Sequence, residues 1–181
     1  MTHKVYLAED DSYFLSEIIK QQFQEISKNK IKDLSVLEVG IGSGIQLETL
    51  HSCGIKKQNI FGVDINKKAV KLCKSKGFRC IESDLFQNIP KQKFDIIIFN
   101  PPYLPESKYD SQPDTSGGKK GNETINEFLN QAKKFMKNSS FILLLTSSLT
   151  PKINTKRYKK KIIAQTKLFY EELYIWKLIL E

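Results

Sequence analysis

The chain has 181 residues, of which 40% are hydrophobic and 10% aromatic, with a net charge of +9 and a pI near 9.3. That is enough for one domain with a real core, and it argues against an intrinsically disordered chain. The longest apolar runs are far too short to span a bilayer, and the opening residues carry no signal-peptide core, so a cytoplasmic protein without membrane attachment is expected.

Three cysteines without CxxC spacing read as buried thiols in a reducing compartment, and two histidines leave little for a metal site or a His-based triad, so no metal is expected. The basic balance permits nucleic acid or an acidic or RNA-bound protein partner without demanding one.

Asp10, Asp11 and Ser12 precede a stretch, residues 13–27, whose apolar positions fall at helical spacing, with Asp11 or Ser12 as the N-cap. Residues 35–39 then read as a strand, 40–44 as a sharp glycine turn, and 45–53 as a helix closed by Gly54. A second strand, 59–63, ends at Asp64. Asn66 caps a helix running to residue 76, and Gly77 ends it. Residues 78–81 form a third strand leading to Ser83-Asp84-Leu85, and 94–99 a fourth, wholly apolar apart from Asp95. These lengths fit right-handed crossovers in a parallel sheet.

Residues 104–121 form the one long irregular segment, of the kind that is functional or disordered in a compact domain. A helix at 123–136 and an apolar strand at 140–146, buried on both faces, follow. The basic run 152–161 reads as a short helix or turn. Two closely spaced strands, 162–169 and 173–180, suggest an antiparallel hairpin at the sheet edge.

Chemistry concentrates where the strands end. Asn100-Pro101-Pro102-Tyr103 follows the fourth strand, and the prolines, having no N–H, stop it there. Open α/β sheets bind ligands at such carboxyl ends. Asn100 and the freed carbonyls can accept from a planar –NH2 group, and the Tyr103 ring can cover it. The bland alternative is a proline-rich strand exit. Glu38-Val39-Gly40-Ile41-Gly42-Ser43-Gly44 is a second such end. A dinucleotide fingerprint needs glycine at the sixth position from Gly40, where this chain has Ile45, which argues against NAD or FAD. Glu38 suits an ammonium and would repel pyrophosphate. Asp64 can take both ribose hydroxyls, Asp84 can accept from an adenine amino group, and Leu85 can lie against the base. Strand-end capping by Asp explains any one of these acids, but not all of them in register with the turn.

Assembled in this order, these motifs resemble the class I S-adenosylmethionine-dependent methyltransferases, and more narrowly the release-factor glutamine methyltransferases in their short archaeal and eukaryotic form. Val5-Tyr6 with Asp11-Ser12 is similar to that group's opening segment, which folds over the cofactor, so Ser12 joins Glu38, Gly40, Gly42, Gly44, Asp64, Asp84, Leu85 and Asn100 as an expected contact of S-adenosyl-L-methionine. The catalytic set implied is Asn100, Pro101, Pro102 and Tyr103. Gly117-Gly118 and Gly121 before a helix match as well. The opening departs from the family pattern, which carries a Pro before the acidic pair where this chain has Leu7-Ala8-Glu9-Asp10.

The resemblance implies a Rossmann-like class I methyltransferase fold, α/β, with a mostly parallel seven-stranded sheet and an antiparallel C-terminal hairpin strand. It implies one methyltransferase domain over residues 1–181, with 1–30 as the cofactor-covering segment and helix. The expected reaction is N-methylation of the glutamine amide in the Gly-Gly-Gln loop of a translation release factor. The alternatives are adenine N6-methylation of RNA or DNA, for which the basic residues 156–161 could hold phosphates, and a non-catalytic cofactor-binding scaffold. A small zinc-binding activator along a sheet edge is also implied, with Phe61 and Val63 on the strand expected at that edge.

Overall fold

Strand order reverses at the middle of the sheet, and that reversal creates the crevice where the chemistry lies. The computed structural model describes residues 5–24, 26–102 and 121–181. The strands are β1 (Val36–Val39), β2 (Ile60–Asp64), β3 (Arg79–Glu82), β4 (Phe94–Phe99), β5 (Met136–Ser147), β6 (Tyr158–Leu168) and β7 (Glu171–Leu180). They form one seven-stranded sheet in the order β3-β2-β1-β4-β5-β7-β6. The pairs β2–β3, β1–β2, β1–β4 and β4–β5 are parallel, while β5–β7 and β6–β7 are antiparallel. From β1 the chain steps outward to β2 and β3, then crosses back to β4 on the other side of β1. The carboxyl ends of β1 and β4 therefore lie side by side at a topological switch point. The expected sheet is the one observed.

The helices are α1 (Asp10–Gln24), α2 (Lys28–Ile31), α3 (Ile45–Ser52), α4 (Lys67–Ser75) and α5 (Glu123–Ala132). Leu15, Ile19 and Phe23 of α1, Leu47 and Leu50 of α3 and Val70 and Cys73 of α4 pack on one face of the sheet, against Val36, Ile60, Ile96 and Ile98. On the other face, Ile125, Phe128 and Leu129 of α5 pack on Leu37, Val63, Ile97 and Phe99. Alternate residues of each strand serve opposite faces, which is why the parallel strands read as continuous apolar runs. The Phe128 ring lies 4.5 Å from that of Phe99 and 5.4 Å from that of Phe86, centroid to centroid.

Several expectations need correction. Helix α1 begins at Asp10, so Asp11 and Ser12 stand inside its first turn rather than at the cap. Helix α5 stops at Ala132, and a 3-10 turn, Lys133–Phe135, leads straight into β5. β5 is longer than expected, and Lys137 to Ser139, which are exposed, fall in the register irregularity between the Phe94–Met136 and Ile96–Phe141 pairs with β4. The basic run is neither helix nor turn beyond Arg157. Tyr158 opens β6, buried, with its hydroxyl donating to the Leu129 carbonyl at 2.6 Å, while Lys159, Lys160 and Lys161 face solvent. An edge strand tolerates lysine because charge there discourages pairing with other chains. Phe61 and Val63 are not at an edge: β2 is covered by β3, and both side chains are buried core. Among the described residues the sheet ends at β3 and at β6. The three cysteines are free thiols, Cys73 and Cys80 buried and Cys53 half-buried.

Candidate active site

The turn after β1 is shaped by its glycines. Gly40, Gly42 and Gly44 have φ of +71°, +47° and +84°, a region that penalises any side chain. The Gly40 and Ile41 amides donate to the Val63 carbonyl at 2.8 and 3.2 Å, which binds the turn to β2. The Gly42 amide donates to Asp64 Oδ2 at 2.9 Å, and the Asn66 amide to Asp64 Oδ1 at 2.7 Å. Asp64 thus holds together the loops that leave β1 and β2. Gly44 stands behind the wall: a β-carbon there would lie 2.7 Å from Cys73 Sγ, so this glycine admits helix α4 rather than a ligand.

Helix α1 closes the crevice from above, and a buried polar network sets its position. Gln46 of α3 donates to the Ser12 carbonyl at 2.8 Å and accepts from the Ser16 hydroxyl at 2.8 Å, and Thr49 donates to Ser16 Oγ at 3.2 Å. This network delivers Asp11 to the switch point. There Asp11 accepts from the Tyr6 hydroxyl at 3.1 Å and from Asn100 Nδ2 at 3.0 Å. Because a carboxylate only accepts, the bond fixes which way the Asn100 amide faces. Asn100 Oδ1 is left buried, with no hydrogen-bond partner among the described residues.

Around these groups lies a cavity of about 420 Å³. Of the residues expected to bind a ligand, it brings together Ser12, Glu38, Gly40, Gly42, Asp64, Asp84, Leu85, Asn100, Pro101 and Pro102. Gly44 is set back from it as described, and Tyr103, with the segment up to residue 120, lies outside the described residues. The wall also contains Tyr6, Glu9, Asp11, Gln46, Thr124 and Glu171, which the sequence did not single out as binding groups. Leu85 holds φ of +47°, an uncommon conformation for a branched side chain, braced by Ser83, whose hydroxyl donates to the Leu85 carbonyl at 2.9 Å and accepts from the Asn88 amide at 3.0 Å.

The charge in the cavity is of one sign. Glu9, Asp11, Glu38, Asp64, Asp84 and Glu171 line it, with no Lys, Arg or His among the described lining residues. Glu38 is 3% exposed, and its Oε2 has no partner among the described residues. Burial, and then the nearby Cys73 and Asp64, push its carboxyl well above the usual range, against one favourable backbone hydrogen bond from Leu47. A buried, half-satisfied carboxylate is costly unless a cation arrives to meet it.

An α/β sheet with a glycine turn, strand-end acids and a cavity at the switch point defines the class of nucleoside-cofactor enzymes. The Methyltransferase small domain family matches residues 16–170, and the chain belongs to that family. A Methanocaldococcus jannaschii protein, provisionally named a protein N5-glutamine methyltransferase, is 38% identical over 168 residues, covering 82% of this chain and 84% of that protein. The release factor glutamine methyltransferase of Fusobacterium nucleatum is 31% identical over 105 residues, 53% of this chain but 29% of that protein. Among solved structures, the E. cuniculi Mtq2-Trm112 complex, described as responsible for methylation of the eRF1 translation termination factor, matches with a TM-score of 0.73 at 22% identity, over 97% of this chain and 98% of that one. The T. thermophilus 16S rRNA N2 G1207 methyltransferase RsmC, in complex with AdoMet and guanosine, matches with a TM-score of 0.68 at 16% identity, over 97% of this chain and 44% of that one. At these identities the structural likeness is one of fold.

The enzyme is thus an S-adenosylmethionine-dependent methyltransferase, and its cavity fits that cofactor. The orphaned Glu38 Oε2 suits an ammonium, Asp64 and Asp84 suit hydroxyl and amino donors, and the surplus of carboxylates suits a sulfonium. No described helix is long and apolar enough to cross a membrane.

Proposed function

We propose that the chain methylates the side-chain amide nitrogen of a glutamine in a protein, namely the glutamine of a Gly-Gly-Gln loop in a translation release factor. The observation that carries this reading is the single-signed cavity with Asn100 Oδ1 unpaired inside it. A phosphate brought within about 4 Å of one of these carboxylates would meet a repulsion of order 4 kcal/mol at an effective dielectric of 20. An uncharged amide meets none. The names of the relatives support the same substrate.

A glutamine amide nitrogen is a weak nucleophile because its lone pair is delocalised, so positioning has to do most of the work. When bound, S-adenosylmethionine supplies an electrophilic methyl on a positively charged sulfur. Asn100 Oδ1 accepts one N–H of the substrate amide and the Pro101 carbonyl the other, which fixes the plane of the –NH2 group. Asp11 holds the opposite end of the Asn100 amide, and its negative charge strengthens Oδ1 as an acceptor. The opening segment, through Tyr6, Asp11 and Ser12, closes the cofactor end of the cavity. The proton leaves to solvent after or during transfer.

We further propose that a small zinc-binding activator protein adds at the β3 edge, where Arg79 to Glu82 form a strand with no second neighbour among the described residues, beside the cofactor half of the sheet.

The test is to incubate the enzyme with labelled cofactor, a release factor and total RNA together. Label on the Gly-Gly-Gln glutamine, located by mass spectrometry, is the expected result, and label confined to RNA adenine would refute it. Co-purification from native extract, with no small protein retained at stoichiometric yield, would remove the activator.

A further inference from the structure

The turn joining β6 to β7 is built from residues that a turn does not favour. Leu168 pairs with Glu171, leaving Phe169 and Tyr170 as a two-residue loop. Phe169 has φ of +28°, within the left-handed region, where a bulky side chain is out of place and glycine is preferred at the first position of such a turn. Both rings stand in water, Phe169 92% exposed and Tyr170 96%. Backbone strain and two solvated aromatics at one turn give the hairpin nothing in stability. Strain of this kind is kept where another use compensates for it, and exposed aromatic clusters mark interaction sites.

The position of the turn indicates that use. β7 runs antiparallel to β5, so its first residues lie at the same rim as the carboxyl ends of β1 and β4. The next residue, Glu171, lines the cavity and holds Oε2 buried without a partner among the described residues. The adjoining loop carries half-exposed Leu149 and is tied to β7 by the Ser148 amide on the Glu172 carbonyl at 2.7 Å and by the Glu172 amide on Ser148 Oγ at 3.0 Å. The aromatic tip is thus joined directly to a cavity-wall residue, and the loop carrying Leu149 is hydrogen-bonded to the strand that leaves the tip.

We propose that Phe169 and Tyr170, flanked by Leu149, are the docking surface for the acceptor protein, and that Glu171 receives backbone N–H groups of the loop whose side chain enters the cavity. This rests on the reading of the acceptor as a protein glutamine. The partner surface is apolar and lies beside the acceptor loop. Tyr and Phe suit such a role because they bury large area at small entropic cost.

The test is the double substitution Phe169→Gly with Tyr170→Asn, a pair that this turn favours, so the fold should hold or gain thermal stability. Steady-state methylation is measured with an intact release factor and with a Gly-Gly-Gln peptide too short to reach past the cavity, alongside sedimentation of the enzyme alone. The expected result is a KM for the intact factor raised at least about tenfold with kcat unchanged, and peptide kinetics unaltered. An unchanged KM for the intact factor overturns the docking role and leaves the glutamine reading standing. So does an equal loss on the peptide. A wild-type dimer that the substitutions dissociate would assign the tip to a second copy and overturn the proposal as well. Wild-type enzyme that labels RNA and neither acceptor removes the glutamine reading, and the docking surface with it.

Discussion

Asp11 Oδ2 accepts from Asn100 Nδ2 at 3.0 Å, across 89 positions of sequence. One residue is in the first turn of the first helix and the other at the end of β4, and the contact decides which atom of the Asn100 amide faces the cavity. Loss of Asp11 should therefore damage chemistry more than binding. Asp11→Ala is expected to lower kcat about 10²-fold, the usual scale for a reacting group left free to misalign, with little change in cofactor affinity. Asn100→Ala should lower kcat further. Single-turnover methylation with calorimetry on the same samples separates the two quantities. Comparable kcat in Asp11→Ala would show that Asn100 is oriented by something else.

Glu38 gives the cofactor site a pH dependence whose sign is fixed. Burial raises its folded carboxyl well above the ordinary glutamate range, so it stays protonated beyond the pH at which an exposed glutamate ionises. A cationic ligand favours the ionised form, so binding must release a proton through this range. Affinity for S-adenosylmethionine is expected to rise with pH, and the Glu38→Gln protein to bind more weakly with a flat profile over the same interval. Calorimetry in two buffers of different ionisation enthalpy reads the released proton. Equal slopes for both proteins would dismiss Glu38 as the ammonium partner.

Gly44→Ala tests the packing behind the turn. The new methyl would sit 2.7 Å from Cys73 Sγ, on a backbone whose φ of +84° already disfavours it. Overpacking costs about 1–3 kcal/mol and the left-handed conformation about 1–2 kcal/mol more. Thermal melting should show the combined loss, and adding Cys73→Ala should recover the steric part alone. Full recovery would mean that the backbone strain is negligible.

Asp95, at the start of β4, contributes to acid stability. Burial works against its ionisation, but Lys137 Nζ at 2.7 Å and the Ser35 amide and hydroxyl at 2.8 and 2.7 Å outweigh it, and the carboxyl titrates below its ordinary value. Its contribution is complete above the unfolded value near 3.9 and is lost as pH falls through the lower folded value. Asp95→Asn should melt below wild type at pH 7, with the gap closing below about pH 4. A gap that persists in acid would mean that the loss is one of packing rather than charge.

How much of this was legible beforehand depends on the kind of residue. The buried strands β1, β2 and β4 announced themselves as apolar runs, and the turn glycines and strand-end acids followed directly from them. Asn66 was legible as a cap, and its side chain does accept from the Lys68 amide. β6 was legible from Ile162 onward, but its first four residues were hidden because Lys159, Lys160 and Lys161 outweigh the inward Tyr158 in any composition window. Gln46 and Glu171 gave no signal at all: a glutamine on a helix and a glutamate in a hairpin read as solvated surface, and only the folded chain turns them inward. Asp11 gave half of one, since an acid near a helix start suggests capping whether or not another strand end is waiting for it. The edge assignment of Phe61 failed because apolar runs do not reveal which parallel strand is outermost.

Phe99 immediately precedes Asn100, and its ring rests on Phe128 of α5. The amide's location is thus inherited from a helix on the far side of the sheet that supplies one residue, Thr124, to the cavity wall. Variants trimmed at residue 128 that still accumulate in good yield would be poor catalysts nonetheless. A screen scored on expression level alone would pass them.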